Sequence, residues 1–466
     1  MPHGDAHSLR DRLASGEGNR VERYLHARSS SVHLTELWQG TGLSVPLAKF
    51  YDRSVLVVTR DQLTAAIALI ELDGLARRLV LCPPDLSREY LSHVVTNAEI
   101  DAIVTDDDVN EYNALSVRIR AHVRPTIGSI DLVQRQHIET EWVLFTSGTA
   151  GVPKMVRHTL TGLTGAIKPG VDLHRPIVWG TFYDIRRYGG LQIFLRTIFD
   201  GASLVLSDAR ESVGGHLNRL AVQSATHISG TPTHWRKVLM SPQVRSIAPG
   251  YIRLSGEIAD QAILNNLRAV YPEARIVHAY ASTEAGVGFE VHDGREGFPV
   301  SLIENSGEVE FKIEDGSLRI RSPRAALCYV GANSPALAAD DGFVETGDVV
   351  ERRDDRYYFV GRKDGIINVG GQKVHPEEVE AVINRHNQVW MSQVRPRKNP
   401  IVGTVVVADV VLSDGCGSDT HASEKINSEI LRSCRDALAP HKVPAMIYFV
   451  SSIKVSDSGK LARRHA

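Results

Sequence analysis

Cysteine is scarce in this chain of 466 residues, and the four cysteines are spread far apart. They are Cys82, Cys328, Cys416 and Cys434, and no two of them form a C-x-x-C pair. Disulfide frameworks and zinc ribbons both need a different spacing, so the sequence argues against either. We therefore expect reduced thiols, as in a cytoplasmic protein.

Strong charge and long apolar runs are also missing. The formal net charge is −2, and charged residues make up 23% of the chain. This balance provides no electrostatic attraction for nucleic acid or for an anionic membrane, so we expect neither as a partner. No apolar run approaches the ~18 residues of a membrane span, and residues 1–20 lack the apolar centre of a signal peptide. We expect no membrane insertion.

Short apolar runs alternate with segments of helical spacing after a polar first stretch. Residues 1 to about 50 are polar and irregular apart from a short helix expected around Ser8 to Ala14, whereas residues 54–59 predict a buried strand and 62–75 a helix. Such alternation predicts an α/β fold with doubly wound, mostly parallel sheets. Around Asp315-Gly316 the pattern changes to strict alternation, which predicts a β-hairpin with a type I′ turn.

The segment FTSGTAGVPK at residues 145–154 concentrates glycines and hydroxyls and ends in a lysine. Glycines let backbone N–H groups turn inward, where they and the hydroxyls can wrap phosphate oxygens. It is not a Walker loop, because no Ser or Thr follows the lysine. Taken alone, the segment has a flexible surface loop as its alternative explanation. The candidate phosphate ligands are Thr146, Ser147, Gly148, Thr149, Gly151 and Lys154.

Four further motifs follow in a fixed order: YASTE at 280–284, ETGD at 345–348, GRKDGIINVGG at 361–371 and SGKLAR at 458–463. Together with the glycine-rich loop, this series resembles the adenylate-forming superfamily of acyl-CoA synthetases, peptide-synthetase adenylation domains and luciferases. The motifs extend over about two thirds of the chain, and the N-terminal third matches only in its α/β pattern. Departures from the family pattern are Ala150, Met155, His278 and Ala281.

The resemblance implies a reaction in two halves. A carboxylate attacks the α-phosphate of ATP and releases pyrophosphate, and a thiol of coenzyme A or of carrier-protein phosphopantetheine then takes the acyl group. ATP and Mg²⁺ are therefore expected, with a small carboxylic acid and possibly an acyl carrier protein as partners. The alternatives are an amino-acid-activating enzyme, an adenylate-forming oxygenase and a non-catalytic nucleotide-binding relative.

The resemblance also implies roles for single residues. Lys460 would be the cation between the acid and the α-phosphate, Glu284 would hold Mg²⁺, and Thr283 would donate to the α-phosphate. Asp348 would accept the ribose hydroxyls, and Arg362 would contact the ribose or the phosphates. The other positions that match nucleotide-binding residues are Gly256, Glu257, His278, Tyr280 with its aromatic face, Ala281 and Ser282.

The resemblance also implies an acyl pocket, and its expected residues are Arg187, Tyr188, Gly189, Gly230 and Thr231. Tyr188 lies thirteen residues before Gly201, where amino-acid-activating members carry an aspartate. An α-amino acid is therefore disfavoured, unless a gap brings Asp184 into that place. We expect a small aryl, cyclic or medium acyl acid, with Arg187 either pairing with a polar group of the acid or pointing to solvent.

The resemblance divides the chain into residues 1–361, with a small β-rich subdomain at about 300–361, and a mobile α+β domain at 362–466. Asp364 matches the hinge about which that domain rotates between half-reactions, carrying Lys460 with it. Gly370 and Gly371 lie where the family's thiol tunnel passes, with a plain turn between two strands as the alternative.

Replacing Asp364 with proline should separate the two half-reactions, because proline fixes φ at about −65° and removes a torsion that the hinge needs. We expect Asp364→Pro to keep adenylate formation and to lose most thioester formation, each measured on purified protein. Equal loss in both assays would indicate misfolding, and equal retention would place the hinge elsewhere.

Overall fold

The computed structural model describes residues 8–15, 22–129, 136–146, 154–168, 176–305, 307–332, 334–399, 403–413, 420–456 and 458–463. Within these ranges the chain is α/β, with a large N-terminal domain and a smaller C-terminal domain, which confirms the predicted fold class. None of the helices in these ranges has both the length and the apolarity to cross a bilayer.

Polar side chains cap the N-termini of several helices, and the helices bury apolar faces. Side chains of Asp61, Ser212, Thr231 and Asp260 accept backbone N–H groups in the first turns of four helices, which satisfies donors that have no partner inside a helix. In chain order the helices are Leu9–Ser15 (α1), Leu34–Gln39 (α2), Gln62–Leu72 (α3), Leu91–Asn97 (α4), Leu160–Thr164 (α5), Tyr188–Asp200 (α6), Val213–Val222 (α7), Pro232–Leu239 (α8), Gln261–Val270 (α9), Ser301–Glu304 (α10), Pro376–Ile383 (α11) and Thr420–Ala437 (α12).

The strands are mostly short, and those of the parallel sheets are buried on both faces. In the N-terminal domain they are Tyr24–His26 (β1), Ser31–His33 (β2), Gly40–Leu43 (β3), Ser54–Val57 (β4), Arg78–Leu81 (β5), Ala102–Thr105 (β6), Ile119–Ser129 (β7), Glu141–Phe145 (β8), Met155–Thr159 (β9), Val178–Thr181 (β10), Ser203–Val205 (β11), His227–Gly230 (β12), Tyr251–Ser255 (β13), Arg275–Ser282 (β14), Gly286–Val291 (β15), Phe298–Pro299 (β16), Glu310–Glu314 (β17), Ser317–Arg321 (β18), Cys328–Tyr329 (β19), Val344–Arg353 (β20) and Arg356–Arg362 (β21). In the C-terminal domain they are Ile367–Val369 (β22), Gln372–Val374 (β23), Val389–Asn399 (β24), Gly403–Leu412 (β25) and Met446–Phe449 (β26).

Two eight-stranded sheets form the body of the N-terminal domain. Their strand orders are β15-β14-β13-β12-β10-β11-β1-β2 and β19-β9-β8-β5-β4-β6-β7-β3, with parallel pairing in the centre of each. One buried apolar cluster contains side chains of both sheets and of helices α3 and α6, and α3 is buried along its whole length. The shared core holds the two sheets in a fixed relation.

A third sheet, in the order β16-β21-β20-β18-β17, is the predicted β-rich part. Its β17–β18 hairpin turns at Asp315 and Gly316, whose φ angles of 51° and 73° are both positive, as a type I′ turn requires. This confirms the predicted hairpin. The N-terminal stretch differs from the prediction, because residues 24–43 contain β1, β2, α2 and β3. Strands of three residues are too short to show a two-residue alternation.

The C-terminal domain has a core of its own. Helices α11 and α12 pack with the β24-β25-β26 sheet, and Val374, Val394 and Ile430 lie in one apolar cluster. The short turn Lys363–Gly365 follows β21 and leads into this domain. The boundary between residues 361 and 362 agrees with this turn and stays a prediction.

Candidate active site

The site lies where β12, β13 and β14 end beside one another. These strands pair in parallel, with Gly230 opposite Leu254 and Leu254 opposite His278. The residues that follow each strand therefore meet at one edge of the sheet, which is where open α/β sheets bind ligands. This edge brings together the predicted site residues Thr231, Gly256 and Glu284.

The C-terminal domain places Lys460 at the same edge. The hydroxyl of Thr231 donates to the carbonyl oxygen of Gly459 over 2.6 Å, and the backbone N–H of Leu461 donates to Oε1 of Glu257 over 3.0 Å. A Cβ built on Gly256 would lie 3.4 Å from Cε of Lys460, so the lysine chain passes over the Gly256 backbone. Residues from both domains thus surround one lysine.

The ammonium group of Lys460 is partly removed from water. This burial lowers the pKa of Lys460, whereas the nearby carboxylates of Glu257 and Asp348 act to raise it. The positive charges of Arg362 and Arg187 also lower the pKa of Lys460, because they disfavour its protonated form. The surroundings therefore concentrate positive charge that an anionic ligand could neutralise.

Glu284 faces the cationic side of the site. Burial raises the pKa of its carboxyl group, and the positive charges of Arg362, Lys154 and Lys460 oppose that shift. No cluster of three or more His, Cys, Asp or Glu side chains within the described ranges could hold a metal ion by itself. A magnesium ion here would need phosphate oxygens and water besides Glu284, and Mg²⁺ is commonly bound in that way.

Thr283, the neighbour of Glu284, lies in a turn that a buried histidine supports. Nε2 of His158 lies 2.8 Å from the carbonyl oxygen of Thr283. Burial lowers the pKa of His158 to about 4, so this ring is neutral near pH 7. His158 was not singled out from the sequence, because a lone histidine on a strand gives no local signal.

Asp348 and Tyr280 are hydrogen-bonded to each other. The Tyr280 hydroxyl donates to Oδ2 of Asp348, and Nη1 of Arg362 lies 3.7 Å from Oδ1 of Asp348. Burial raises the pKa of Asp348 although Arg362 acts to lower it. The Tyr280 ring stacks on Phe289 and Phe359, with centroid distances of 5.5 and 5.1 Å. The sequence linked these motifs only by their order and gave no sign of the contact.

The glycine-rich loop is only partly described. Ser147, Gly148, Thr149 and Gly151 lie outside the described residues. At the base of the loop, the Thr146 N–H donates to the Lys154 carbonyl over 3.0 Å, and Nζ of Lys154 lies 5.5 Å from the centre of the Tyr329 ring. The antiparallel pair β8–β9 thus holds both ends of the loop.

Three further nucleotide candidates lie on β14, and their nucleotide roles stay predictions. Nε2 of His278 lies 2.9 Å from the carbonyl oxygen of Arg295, and the Ser282 hydroxyl accepts the N–H of Ala285 over 2.9 Å. Ala281 is opposite Val287 in the β14–β15 pair. Protein contacts thus hold the polar side chains of His278 and Ser282.

Near the expected acyl pocket, Asp184 already has a partner. Its Oδ1 accepts both the backbone N–H and the Nε–H of Arg186, each over 2.8 Å, and Arg186 is buried. Tyr188 is buried as well, with its ring 5.7 Å from the ring of His158. The aspartate that a gapped alignment would offer to an ammonium group is therefore neutralised by an arginine.

Arg187 differs from Arg186 in leaving part of its guanidinium group unused. Nη2 of Arg187 pairs with Asp85, whereas its buried Nε has no hydrogen-bond partner among the described residues. Arg187 is also close enough to Lys460 to oppose its charge. Gly189 follows in the first turn of α6, where a Cβ would lie 3.6 Å from the Tyr183 ring.

The hinge and tunnel candidates lie in turns. Asp364 belongs to the turn Lys363–Gly365, and its Oδ1 accepts Nε–H of Arg362 over 3.1 Å. Gly370 and Gly371 connect β22 to β23 with φ angles of 55° and 84°, so the plain-turn alternative describes their backbone. Their role in a thiol tunnel stays a prediction.

Sequence profiles of two domains match the chain. The profile described as AMP-binding enzyme matches residues 60–329, and the profile described as AMP-binding enzyme C-terminal domain matches residues 378–460. The first match alone covers more than half of the chain. The chain belongs to the family of AMP-binding enzymes.

Among its relatives are ligases that act with coenzyme A. The chain is 26% identical over 348 residues to the mitochondrial acyl-coenzyme A synthetase ACSM5 of Homo sapiens, an alignment that covers 69% of this chain and 59% of that protein. It is 24% identical over 426 residues to the 2-succinylbenzoate–CoA ligase of Bacillus velezensis, an alignment that covers 87% of this chain and 81% of that protein. The chain thus spans about three fifths of the length of the human relative.

The fold is shared with solved structures. An anthranilate CoA ligase in complex with anthranoyl-AMP has a TM-score of 0.78 to this chain at 17% identity, with 97% of this chain and 95% of that chain covered. At this identity the likeness shows the fold alone.

Gly459 should be needed for the docking of the Lys460 turn. Its φ is +74°, and a Cβ there would lie 1.8 Å from Cε1 of His234, a ring that Thr231 and Phe182 hold in place. We expect Gly459→Ala to displace Lys460 and to slow adenylate formation by about 10²-fold, a loss typical of small misplacements. Pyrophosphate exchange measures the effect.

Gly403→Ala is the matched control. Gly403 has a φ of +81°, but no described atom lies within 4 Å of its Cβ position. Both substitutions therefore carry backbone strain, and only the first carries the clash. If the two variants exchange pyrophosphate equally well, the docked turn is not the arrangement that forms adenylate.

Proposed function

We propose that this chain is an AMP-forming acid–thiol ligase that activates a small carboxylic acid as an acyl-adenylate and transfers the acyl group to a thiol. The observation that carries the proposal is the location of Lys460, anchored by Thr231 and Glu257 at the edge of the sheet that also bears Glu284. The names of the two relatives, an acyl-coenzyme A synthetase and a CoA ligase, support coenzyme A as the acceptor.

The first half-reaction brings two anions together. An oxygen of the acid attacks the α-phosphorus of ATP, the bond to the bridging oxygen breaks, and pyrophosphate leaves. The step needs positive charge where negative charge increases, and it needs in-line alignment more than proton transfer. Lys460 would bridge the carboxylate and the α-phosphate, since an ammonium on a flexible chain suits a contact with both.

The remaining nucleotide contacts are assigned by the same reasoning. Asp348 would accept the ribose hydroxyls, since one carboxylate can take two hydrogen bonds. Arg362 would contact the ribose or phosphates, Thr283 the α-phosphate, and Thr146 and Lys154 the phosphates that leave. Glu284 would hold Mg²⁺, which neutralises phosphate charge when bound.

In the second half-reaction the thiol sulfur attacks the acyl carbon and AMP leaves. We propose that the domain formed by residues 362–466 rotates about Asp364 before this step, so that Lys460 withdraws and Gly370-Gly371 approaches the thiol arm. Carrier-protein phosphopantetheine is the alternative acceptor. A cytoplasmic location is part of the proposal and rests on the scattered cysteines.

The acid is proposed to be a small aryl, cyclic or medium acyl acid without an α-ammonium group. Tyr188 stands where a gap-free alignment expects the ammonium partner, and Asp184 is engaged by Arg186. An α-ammonium group would therefore meet a phenol and a neutralised carboxylate.

Acid-dependent exchange of labelled pyrophosphate into ATP, measured with a panel of acids, tests the proposal. We expect exchange with at least one aryl or acyl acid, followed by AMP and thioester formation when coenzyme A is added. ATP binding without exchange for any acid would favour the non-catalytic relative. Oxygen uptake or light emission would favour the oxygenase.

Lys460→Ala should lower adenylate formation by about 10²- to 10³-fold, as the removal of one transition-state charge contact does, while ATP binding survives. Pyrophosphate exchange and ATP binding are measured on the same purified protein. Lys442→Ala is the control, because that lysine pairs with Glu378 within the C-terminal domain. Near wild-type exchange by Lys460→Ala would contradict its role.

Arg187→Leu should alter acid choice more than ATP use. A site that pairs with a polar group rejects acids that lack it, by as much as about 10⁴-fold, so the variant should lose kcat/KM for polar or dicarboxylic acids. Its apparent affinity for ATP and its use of unsubstituted aryl acids should change little. Equal loss with every acid would mean that Arg187 contacts the nucleotide phosphates instead.

A further inference from the structure

We propose that Glu257 is a positioning residue that anchors the Lys460 turn during adenylate formation, and that this anchoring, rather than a nucleotide contact, is its main role. The inference rests on the proposed function, because it assigns a task within the first half-reaction. It concerns a residue of the N-terminal domain that acts through a lysine of the C-terminal domain.

Both carboxylate oxygens of Glu257 accept backbone N–H groups. Oε2 accepts the N–H of Thr233 over 2.9 Å, and Oε1 accepts the N–H of Leu461 over 3.0 Å. Thr233 lies in the first turn of α8, where N–H groups have no partner within the helix. The bond to the helix fixes the orientation of the carboxylate, so that its second oxygen presents a preformed acceptor to the C-terminal domain.

The turn is held on both sides of Lys460. The residue before it is bonded through the Gly459 carbonyl to Thr231, and the residue after it is bonded through the Leu461 N–H to Glu257. With both neighbours anchored, the backbone of Lys460 has little freedom, and the position of its ammonium group depends on the side-chain torsions alone. Fixed positions of the reacting groups increase the rate of a reaction that requires in-line alignment.

Glu257 also contributes charge. After burial, its carboxylate is the strongest influence on the pKa of Lys460, which it raises. The same group that fixes the backbone therefore favours the protonated form of the lysine. A hydrogen bond to the turn and a counter-charge for the ammonium group come from one side chain.

A second contact between the domains involves Asp260, three residues after Glu257. Oδ2 of Asp260 accepts Nδ2–H of Asn384 over 3.2 Å and also pairs with Arg236, whose Nη1 donates to the Trp390 carbonyl over 3.2 Å. These bonds hold α11 and β24 but do not reach the Lys460 turn. Of these two carboxylates, Glu257 is the one that is hydrogen-bonded to the Lys460 turn.

The two roles for Glu257 make different kinetic predictions. An anchor for Lys460 matters only while the turn is docked, so its loss should lower kcat for adenylate formation. It should leave the KM for ATP and the transfer of a preformed acyl group unchanged. A contact to the nucleotide would raise the KM for ATP and weaken both half-reactions, because the adenylate carries the same nucleotide.

Glu257→Gln tests the proposal, since glutamine keeps the size and loses one of the two acceptors. We expect kcat for pyrophosphate exchange to fall about tenfold, the effect of one hydrogen bond to a charged group. We expect the KM for ATP, and the rate of thioester formation from synthetic acyl-adenylate, to stay within about twofold of wild type. Glu257→Ala should show a larger loss of the same kind.

Glu211→Gln is the control. The carboxylate of Glu211 accepts from Arg219 within the N-terminal domain, and the variant should leave the ratio of the two half-reactions unchanged. Thermal unfolding of each variant shows whether the substitution changes its stability. Equal slowing of both half-reactions by Glu257→Gln would overturn the proposal. A raised KM for ATP, or no change at all, would overturn it too. Wild-type protein without exchange for any acid would instead refute the proposed function, and this inference with it.

Discussion

The partial burial of one ammonium group controls the arrangement of this site. A charge removed from water is costly unless opposite charges and hydrogen bonds replace the water. Lys460 comes from the C-terminal domain, but the carboxylates that favour its charge, Glu257 and Asp348, belong to the N-terminal domain. The electrostatics of the lysine and the docking of the two domains are therefore coupled. Arg187 and Arg362 add positive charge beside Lys460. The negative charges of the proposed acid and of the ATP phosphates would neutralise it.

Backbone geometry makes this docking possible. Adjacent parallel strands deliver the segments after β12, β13 and β14 to one edge, and each contributes one kind of contact. Thr231 donates to the Gly459 carbonyl, and Glu257 accepts the Leu461 N–H. The turn after β14 carries Glu284, on which the positive charges of Lys154 and Lys460 act. Gly459 brings the turn against His234, where a larger residue would collide. The catalytic assignment of Lys460 therefore depends on neighbours as much as on its charge.

Local patterns were sufficient for the fold class and for the location of the motifs. The buried run at β4, the helical spacing of α3 and the turn at Asp315-Gly316 each depend on residues close in sequence, and the structure confirms all three. Contacts between distant residues have no such signal. The Thr231–Gly459 bond joins positions 228 residues apart and the Glu257–Leu461 bond 204 apart. Likewise, only the structure shows that Arg186 neutralises Asp184.

A crystal structure with a non-hydrolysable acyl-sulfamoyl adenosine would show directly whether Lys460 contacts the acyl-adenylate. We expect Nζ of Lys460 at about 3 Å from the acyl carbonyl oxygen and a sulfonyl oxygen of the analogue. In the same crystal, the Gly459 carbonyl should remain on Thr231 and the Leu461 N–H on Glu257. An analogue bound at the ends of β12–β14, with the C-terminal domain docked as here but Lys460 directed away from it, would contradict the role of Lys460 in adenylate formation.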